Sequence, residues 1–315
     1  MIPHKKGYIM TSMNMPQVHT IDLHFQDVPH ATAVYVIDSG SEGPILVETG
    51  PGSTLDTCLD SLKQLGIAPK DIRHVLLTHI HLDHAGAAGW WAQQGANVYV
   101  HYFGARHLID PSKLLASATR IYGDKMDALW GEMLPVPAAR LTELYNNDTV
   151  TIGGLTFTAL ETPGHARHHH VYQLGTIAFT GDAAGLRLMN LPLVDIPAPP
   201  PEFEREVWVQ TVDRLLAARF ATIYPTHFGA VTDVQGHLQA FRALIGDAAE
   251  FVRVRMEAGV SRDELVAQYR SWTIERARAV GLTDTEIHQY ETANPLYMSV
   301  DGIIRYWRKR QESKN

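Results

Sequence analysis

Positions 78 to 86 read Thr-His-Ile-His-Leu-Asp-His-Ala-Gly, which places His79, His81, Asp83 and His84 within six consecutive positions. Side chains that bind divalent metal are seldom crowded in this way without an ion to hold them. Even with 17 His in 315 residues, three His and one Asp at this spacing arise by chance in only about one chain in a few hundred. The cluster directly follows Asp71-Ile-Arg-His-Val-Leu-Leu-Thr78, whose Val75, Leu76 and Leu77 read as a strand buried on both faces. Ligands just past the carboxyl end of such a strand, ahead of a helix, lie where open α/β sheets place their sites.

The preceding residues alternate as strands do, at Val18 to Phe25, Ala33 to Ile37 and Ile45 to Val47, with turn residues between them. Gly50-Pro-Gly-Ser53 then opens a helix for which Ser53 and Asp56 form the expected cap, and its apolar stripe ends at Leu65-Gly66. After the histidine cluster the pattern predicts a helix from Ala85 to Gly95, a strand from Asn97 to Phe103, and a helical insertion at about 104–140. A second set of strands is expected from Leu141 onward, including Leu155 to Leu160, Val171 to Leu174 and Thr176 to Phe179. Gly153-Gly154 and Leu174-Gly175 are the hairpin signals among them. The prolines of 197–201 lead into a helix ending near Ala218, and Ala221 to Tyr224 makes one more strand. Beyond Phe228 only helical patterns remain, with capping boxes at Ser261 to Glu264 and Thr283 to Glu286.

Composition narrows the class by exclusion. A formal charge of −7 and a pI near 6.2 give no general attraction to polyanions, so nucleic acid is not the expected partner. Arg305, Arg308, Lys309 and Arg310 read as a solvated helix terminus that suits the helix dipole. The segment Met1-Ile-Pro-His-Lys-Lys-Gly-Tyr8 lacks the apolar centre of a signal peptide, and no apolar run reaches membrane-spanning length. The single Cys58 falls at helical spacing with Leu55, Leu59 and Leu62 and reads as a core residue. A cytoplasmic protein acting on a small molecule, with no membrane partner and with room for homo-oligomerisation, is the expectation.

Three later segments repeat the arrangement of a ligand-type residue after an apolar strand: Thr162-Pro-Gly-His165, Thr180-Gly-Asp182 and Tyr224-Pro-Thr-His227. Together with the His-x-His-x-Asp-His cluster and the turn Glu48-Thr-Gly-Pro-Gly52, they make the chain resemble the metallo-β-lactamase-fold superfamily of metallohydrolases. The motifs occur in family order within residues 31 to 229. The resemblance implies a four-layer αββα sandwich, with residues 1–229 as the catalytic domain and 230–315 as a C-terminal helical extension packed on it. Carried over position by position, it implies that His79, His81 and His165 hold a first metal, Asp83, His84 and His227 a second, and that Asp182 bridges both. Glu48 stands where the family usually has Asp and is expected to support the ligands from behind. His169 matches a position that supports the local fold. His168 and His170, on the opposite strand face, are read as structural or solvent-facing, and His101 and His107 as ordinary surface or core residues.

Imidazoles and carboxylates without a thiolate suit two divalent ions, Zn²⁺ ahead of Mn²⁺ or Fe²⁺. Two such ions would generate a bridging hydroxide, which Asp83 could orient while it relays a proton to the leaving group. The expected reaction is hydrolysis of an ester, lactone, thioester or phosphoester of a small, partly hydrophobic substrate. A mononuclear iron persulfide dioxygenase of the same fold is the alternative, although similar proteins of that kind are usually shorter and lack a long helical tail. Flavodiiron reductases have Glu where His81 stands, and the superfamily's nucleases bring a large insertion or a basic arm; neither pattern fits. A helical C-terminal part is shared with glyoxalase II, but a glutathione-carboxylate clamp is not identifiable. Trp90-Trp91, Tyr102-Phe103, Ile121-Tyr122, Trp130 to Leu134 and Leu186 to Leu193 are the segments expected to border the cleft.

Overall fold

The computed structural model describes residues 16–189 and 191–313, so the reading of Met1 to Tyr8 lies outside the described residues. Its first sheet contains β1 (Val18–Asp22), β2 (Ala33–Asp38), β3 (Pro44–Val47), β4 (His74–Leu76), β5 (Asn97–His101) and β6 (Leu141–Leu144), in that spatial order. The first three strands form an antiparallel meander, and β3 to β6 run parallel. The second sheet contains β7 (Thr149–Ile152), β8 (Leu155–Glu161), β9 (His170–Leu174), β10 (Ile177–Gly181) and β11 (Thr222–Pro225), ordered β11-β10-β9-β8-β7. The hairpins at Gly153-Gly154 and Gly175 form as their turn residues require, giving antiparallel β7-β8 and β9-β10 pairs.

The two sheets meet through an apolar interior in which Val75, Leu76 and Leu77 are fully buried, as their unbroken run demands. Tyr35 of β2 packs against Phe179 of β10 and Tyr224 of β11 at centroid distances of 5.6 and 5.3 Å. Tyr172 of β9 donates its hydroxyl to the carbonyl of Leu77 at 3.0 Å, so the apolar contact also has a polar register.

The helices are α1 (Leu55–Gln64), α2 (Leu82–Ala85), α3 (Ala88–Gln93), α4 (Tyr102–Ile109), α5 (Ser112–Tyr122), α6 (Met126–Trp130), α7 (Arg205–Ala218), α8 (Val234–Glu257), α9 (Arg262–Ala279), α10 (Asp284–Ala293) and α11 (Leu296–Glu312). Cys58 and Leu62 carry α1 onto the core. Helices α7, α8, α9 and α11 build a second apolar cluster around Trp208, Phe241, Tyr269 and Ile303. Thr283 and Glu286 form a reciprocal capping box at the start of α10, whereas Ser261 caps α9 without the return bond from Glu264. At the end of α11, Arg310 pairs with Glu206 and Lys309 with Glu204, which ties this terminus to the start of α7. Among the described residues no helix is long and apolar enough to cross a membrane.

Two sequence expectations are corrected. Ser53 does not cap α1, because its hydroxyl donates to the carbonyl of Leu129 and holds the insertion against the start of α1. The strand at Leu141 closes the first sheet alongside β5 instead of opening the second, which begins at β7.

Candidate metal centre

The centre forms where the strands end. Thr78 to His84 follow β4, His165 follows β8, Asp182 follows β10 and His227 follows β11. His81 is extended at φ −62° and ψ 153° and gives way to the single turn of α2, which swings Asp83 and His84 to a different side of the site from His79 and His81. Gly181 makes the approach of Asp182 feasible, since at its φ of +49° a Cβ would lie 2.3 Å from Thr78 Oγ1 and 2.8 Å from His169 Nε2.

Two nests of ligand-type atoms result. In the first, His79 Nε2, His81 Nδ1 and His165 Nε2 lie 2.9, 2.9 and 3.2 Å from one another. Zn–N bonds of about 2.0–2.1 Å in tetrahedral geometry place ligating nitrogens roughly 3.3 Å apart, so this triangle fits such an ion. In the second, Asp83 Oδ2 faces His227 Nε2 at 3.4 Å and His84 Nε2 at 3.7 Å. Asp182 spans the two: its Oδ2 lies 3.3 Å from His165 Nε2, while its Oδ1 lies 3.6 Å from His84 Nε2 and 3.7 Å from His227 Nε2. His84 Nε2 and Asp182 Oδ1 are buried without a hydrogen-bond partner, an arrangement that a cation between them would relieve.

On four of the five histidines, His79, His84, His165 and His227, the nitrogen turned away from the nests is occupied, and this fixes its tautomer. His165 Nδ1 donates to the carbonyl of Pro197 and His227 Nδ1 to that of Ala31, each at 2.7 Å. His84 Nδ1 donates to Glu48 Oε1 at 3.2 Å. His79 Nδ1 donates to Thr78 Oγ1 at 3.0 Å, because that hydroxyl spends its own proton on Glu48. Metal-binding imidazoles are characteristically held in this way from behind. Glu48, with His79 and His84, forms a further grouping that could hold an ion, but both of its oxygens already accept hydrogen bonds.

Electrostatics divides the nests in the same way. Burial, reinforced by the neighbouring imidazoles, holds His79 well below the usual histidine range, and burial beside His165 lowers His81 to about 4. Both are therefore neutral and carry a free lone pair. Burial acts in the same direction on His84 and His227, but Asp83 and Asp182 outweigh it and raise both above the ordinary value. Burial likewise opposes ionisation of Asp182, yet His84, His165 and His227 keep its carboxyl well below the usual range. The two carboxylates thus concentrate negative charge where the second nest opens.

A cavity of about 290 Å³ lies over Asp83 and His81. Phe103, Ile121, Tyr122 and Trp130 line it as expected. Trp91 is instead fully buried in the core, Tyr102 stacks on Tyr145 away from the cavity, and Leu186 and Leu188 pack internally. Met133 and Leu134 are not among the lining residues. His169 supports the local fold, with Nδ1 beside Thr162 Oγ1 at 2.8 Å and Nε2 accepting from Asp182 N–H at 3.2 Å. His168 and His170 are buried, not solvent-facing; His168 lines the cavity with Nε2 3.5 Å from Glu202, and His170 packs on His101. His107 also lines the cavity. Sequence reasoning missed Pro199 and the C-terminal Asn294, Pro295 and Met298, which complete the wall. The proline run was visible, but no local pattern announces that a helix a hundred residues later closes on it.

Comparison with known proteins agrees with this architecture. A family model for the metallo-beta-lactamase superfamily matches residues 27–227, a span that includes every residue of both nests. The metallo-beta-lactamase fold-containing protein ST1585 of Sulfurisphaera tokodaii is 26% identical over 221 residues, covering 68% of this chain and 79% of the relative. The N-acyl homoserine lactonase AttM of Agrobacterium fabrum is 26% identical over 178 residues, covering 49% of this chain and 60% of the lactonase. Among solved structures, the metallo-beta-lactamase family protein TTHA1429 of Thermus thermophilus superposes with a TM-score of 0.64 at 19% identity, covering 93% of this chain and 94% of that one. From its sheet order, its strand-end histidines and this match across most of its length, the chain belongs to the metallo-β-lactamase superfamily, whose members are metal-dependent hydrolases.

Proposed function

We propose that this protein is a binuclear metal-dependent hydrolase acting on a small, partly hydrophobic ester or lactone, with thioesters and phosphoesters as the adjoining substrate classes. The observation that carries the reading is Asp182, whose two carboxylate oxygens address two separate nests of ligand-type atoms. In this reading His79, His81 and His165 hold one ion, Asp83, His84 and His227 hold the other, and Asp182 lies between them. When bound, two divalent ions, Zn²⁺ ahead of Mn²⁺ or Fe²⁺, supply a water of lowered pKa and polarise the scissile carbonyl.

The chain's own groups do the rest. The Asp83 side chain is 21% exposed and faces the cavity, so it can accept a hydrogen bond from the attacking water and return a proton to the leaving group. Leu114, Ile121, Trp130 and Met298 offer an apolar surface to the organic part of the substrate, and among the described residues Lys113 is the one Lys or Arg that lines the cavity. A wall with a single cationic side chain favours neutral esters and lactones over multiply charged phosphoesters. The lactonase activity named for AttM supports the same direction.

Elemental analysis combined with turnover of aryl esters, lactones, thioesters and phosphodiesters tests the proposal. The expected result is about two transition-metal ions per chain, activity lost with them, and preference for neutral apolar substrates. One tightly bound iron with oxygen consumption on a persulfide would replace it with the dioxygenase reading.

A further inference from the structure

The C-terminal helices reach the metal centre through a segment that cannot hold itself. Residues 197–201 read Pro-Ala-Pro-Pro-Pro, so only Ala198 carries a backbone N–H with which this strap can be fixed. That N–H donates to Ser299 Oγ of α11 at 3.1 Å, and the same hydroxyl donates to the carbonyl of Ile196 at 2.9 Å. Asn294, just before α11, adds a second bond to Ile196 O at 3.0 Å. Ser299 is fully buried and therefore grips the chain on both sides of Pro197. The carbonyl of Pro197 is the group that accepts His165 Nδ1–H at 2.7 Å. Gly302, one turn further along α11, lets the helix lie directly on the strap, since a Cβ there would meet Ala198 O at 2.0 Å.

Resting on the binuclear reading of the site, we infer that Ser299 is a positioning residue for His165: by clamping Ile196 and Ala198 it aims the Pro197 carbonyl, which fixes the His165 tautomer and the direction of Nε2. The C-terminal extension is then part of the metal centre although it supplies no ligand. Groups that hold a metal-binding imidazole from behind are worth about 10–100-fold in metal affinity, and Ser299 acts one hydrogen bond further out.

The test is competitive titration of the metal-free full-length chain with Zn²⁺ against a chromophoric chelator. Ser299→Ala should weaken one of two Zn²⁺ constants by about tenfold and leave the other within about twofold. In a His165→Ala background the same substitution should cause no further loss. Val300→Ala, which opens a cavity in the same helix without removing a hydrogen bond to the strap, should lower Tm but leave both constants unchanged. Unchanged Zn²⁺ binding in Ser299→Ala, or a loss that persists in full without His165, overturns the inference. If Ser299→Ala does not fold, Ser299→Cys keeps the shape while weakening both hydrogen bonds and must show the same one-site loss. If the wild type itself takes up no Zn²⁺, the binuclear reading falls. The clamp is then decided by long-range imidazole ¹⁵N–¹H correlations in the metal-free chain: an Nδ1–H tautomer at His165 retained in Ser299→Ala refutes it, and a mixed tautomer supports it.

Discussion

Replacing Glu48 by Gln tests how the centre is supported from behind. Glu48 is fully buried and accepts from Thr78 N–H at 3.2 Å through Oε2, and from Thr78 Oγ1, His84 Nδ1 and Thr226 Oγ1 through Oε1. Its backbone sits at φ 65°, a left-handed conformation costing a non-glycine residue about 1 kcal/mol, which the four bonds must outweigh. A Gln side chain keeps the Oε1 acceptor only by turning its amide NH₂ toward the Thr78 N–H, donor against donor. One buried N–H is then left unpaired at about 1–3 kcal/mol, and three charge-assisted bonds become neutral ones. Removing a buried charge offsets part of this, so Glu48→Gln should lower stability by about 2–4 kcal/mol, within the range a folded domain tolerates. Urea unfolding of the metal-free protein, followed by tryptophan fluorescence, measures this directly. The same variant should weaken one Zn²⁺ site by about 10–100-fold, because His84 loses its anionic partner. A stability change below about 0.5 kcal/mol together with unaltered Zn²⁺ binding would refute the assigned role of Glu48.

Asp182→Ala should deplete both metals on elemental analysis, whereas Asp83→Asn should spare the site of His79, His81 and His165 and chiefly reduce kcat; equal depletion would remove the bridging role of Asp182. Burial depresses His237 to about 4 despite its bond to Ala184 O, so the unfolded chain takes up a proton that the native state resists. That contribution is complete above 6.5, the ordinary value, and is lost as pH falls toward about 4, roughly 3 kcal/mol in all. Urea stability of His237→Gln should therefore fall less steeply between about pH 7 and pH 5 than that of the wild type. Trp130 stacks on Phe25 at 5.4 Å and lines the cavity; Trp130→Ala should raise KM for aryl esters about tenfold, with metal content unchanged and small lactones less affected.

The strands that carry the site were legible because their signal is local. Val75 to Leu77 announce a doubly buried strand, the four polar residues after it announce what that strand delivers, and Pro-Gly before His165 marks the turn that follows β8. The hairpins at Gly153-Gly154 and Gly175 follow from the same short-range turn chemistry. What sequence left open depends on contacts between distant positions. A short half-exposed strand such as Leu141 to Leu144 pairs with whichever neighbour the tertiary arrangement offers, and here β5 takes it into the first sheet. Ser53 had a cap to make but found the Leu129 carbonyl, 76 positions away, closer at hand. Which nitrogen of His165 and of His227 faces its nest was likewise decided by carbonyls from other segments, Pro197 for His165 and Ala31, 196 positions distant, for His227. Burial leaves each of these polar groups only the partner that folding places beside it, so the list of ligand-type residues belongs to the sequence, and their orientation and the wall that closes over them belong to the tertiary structure.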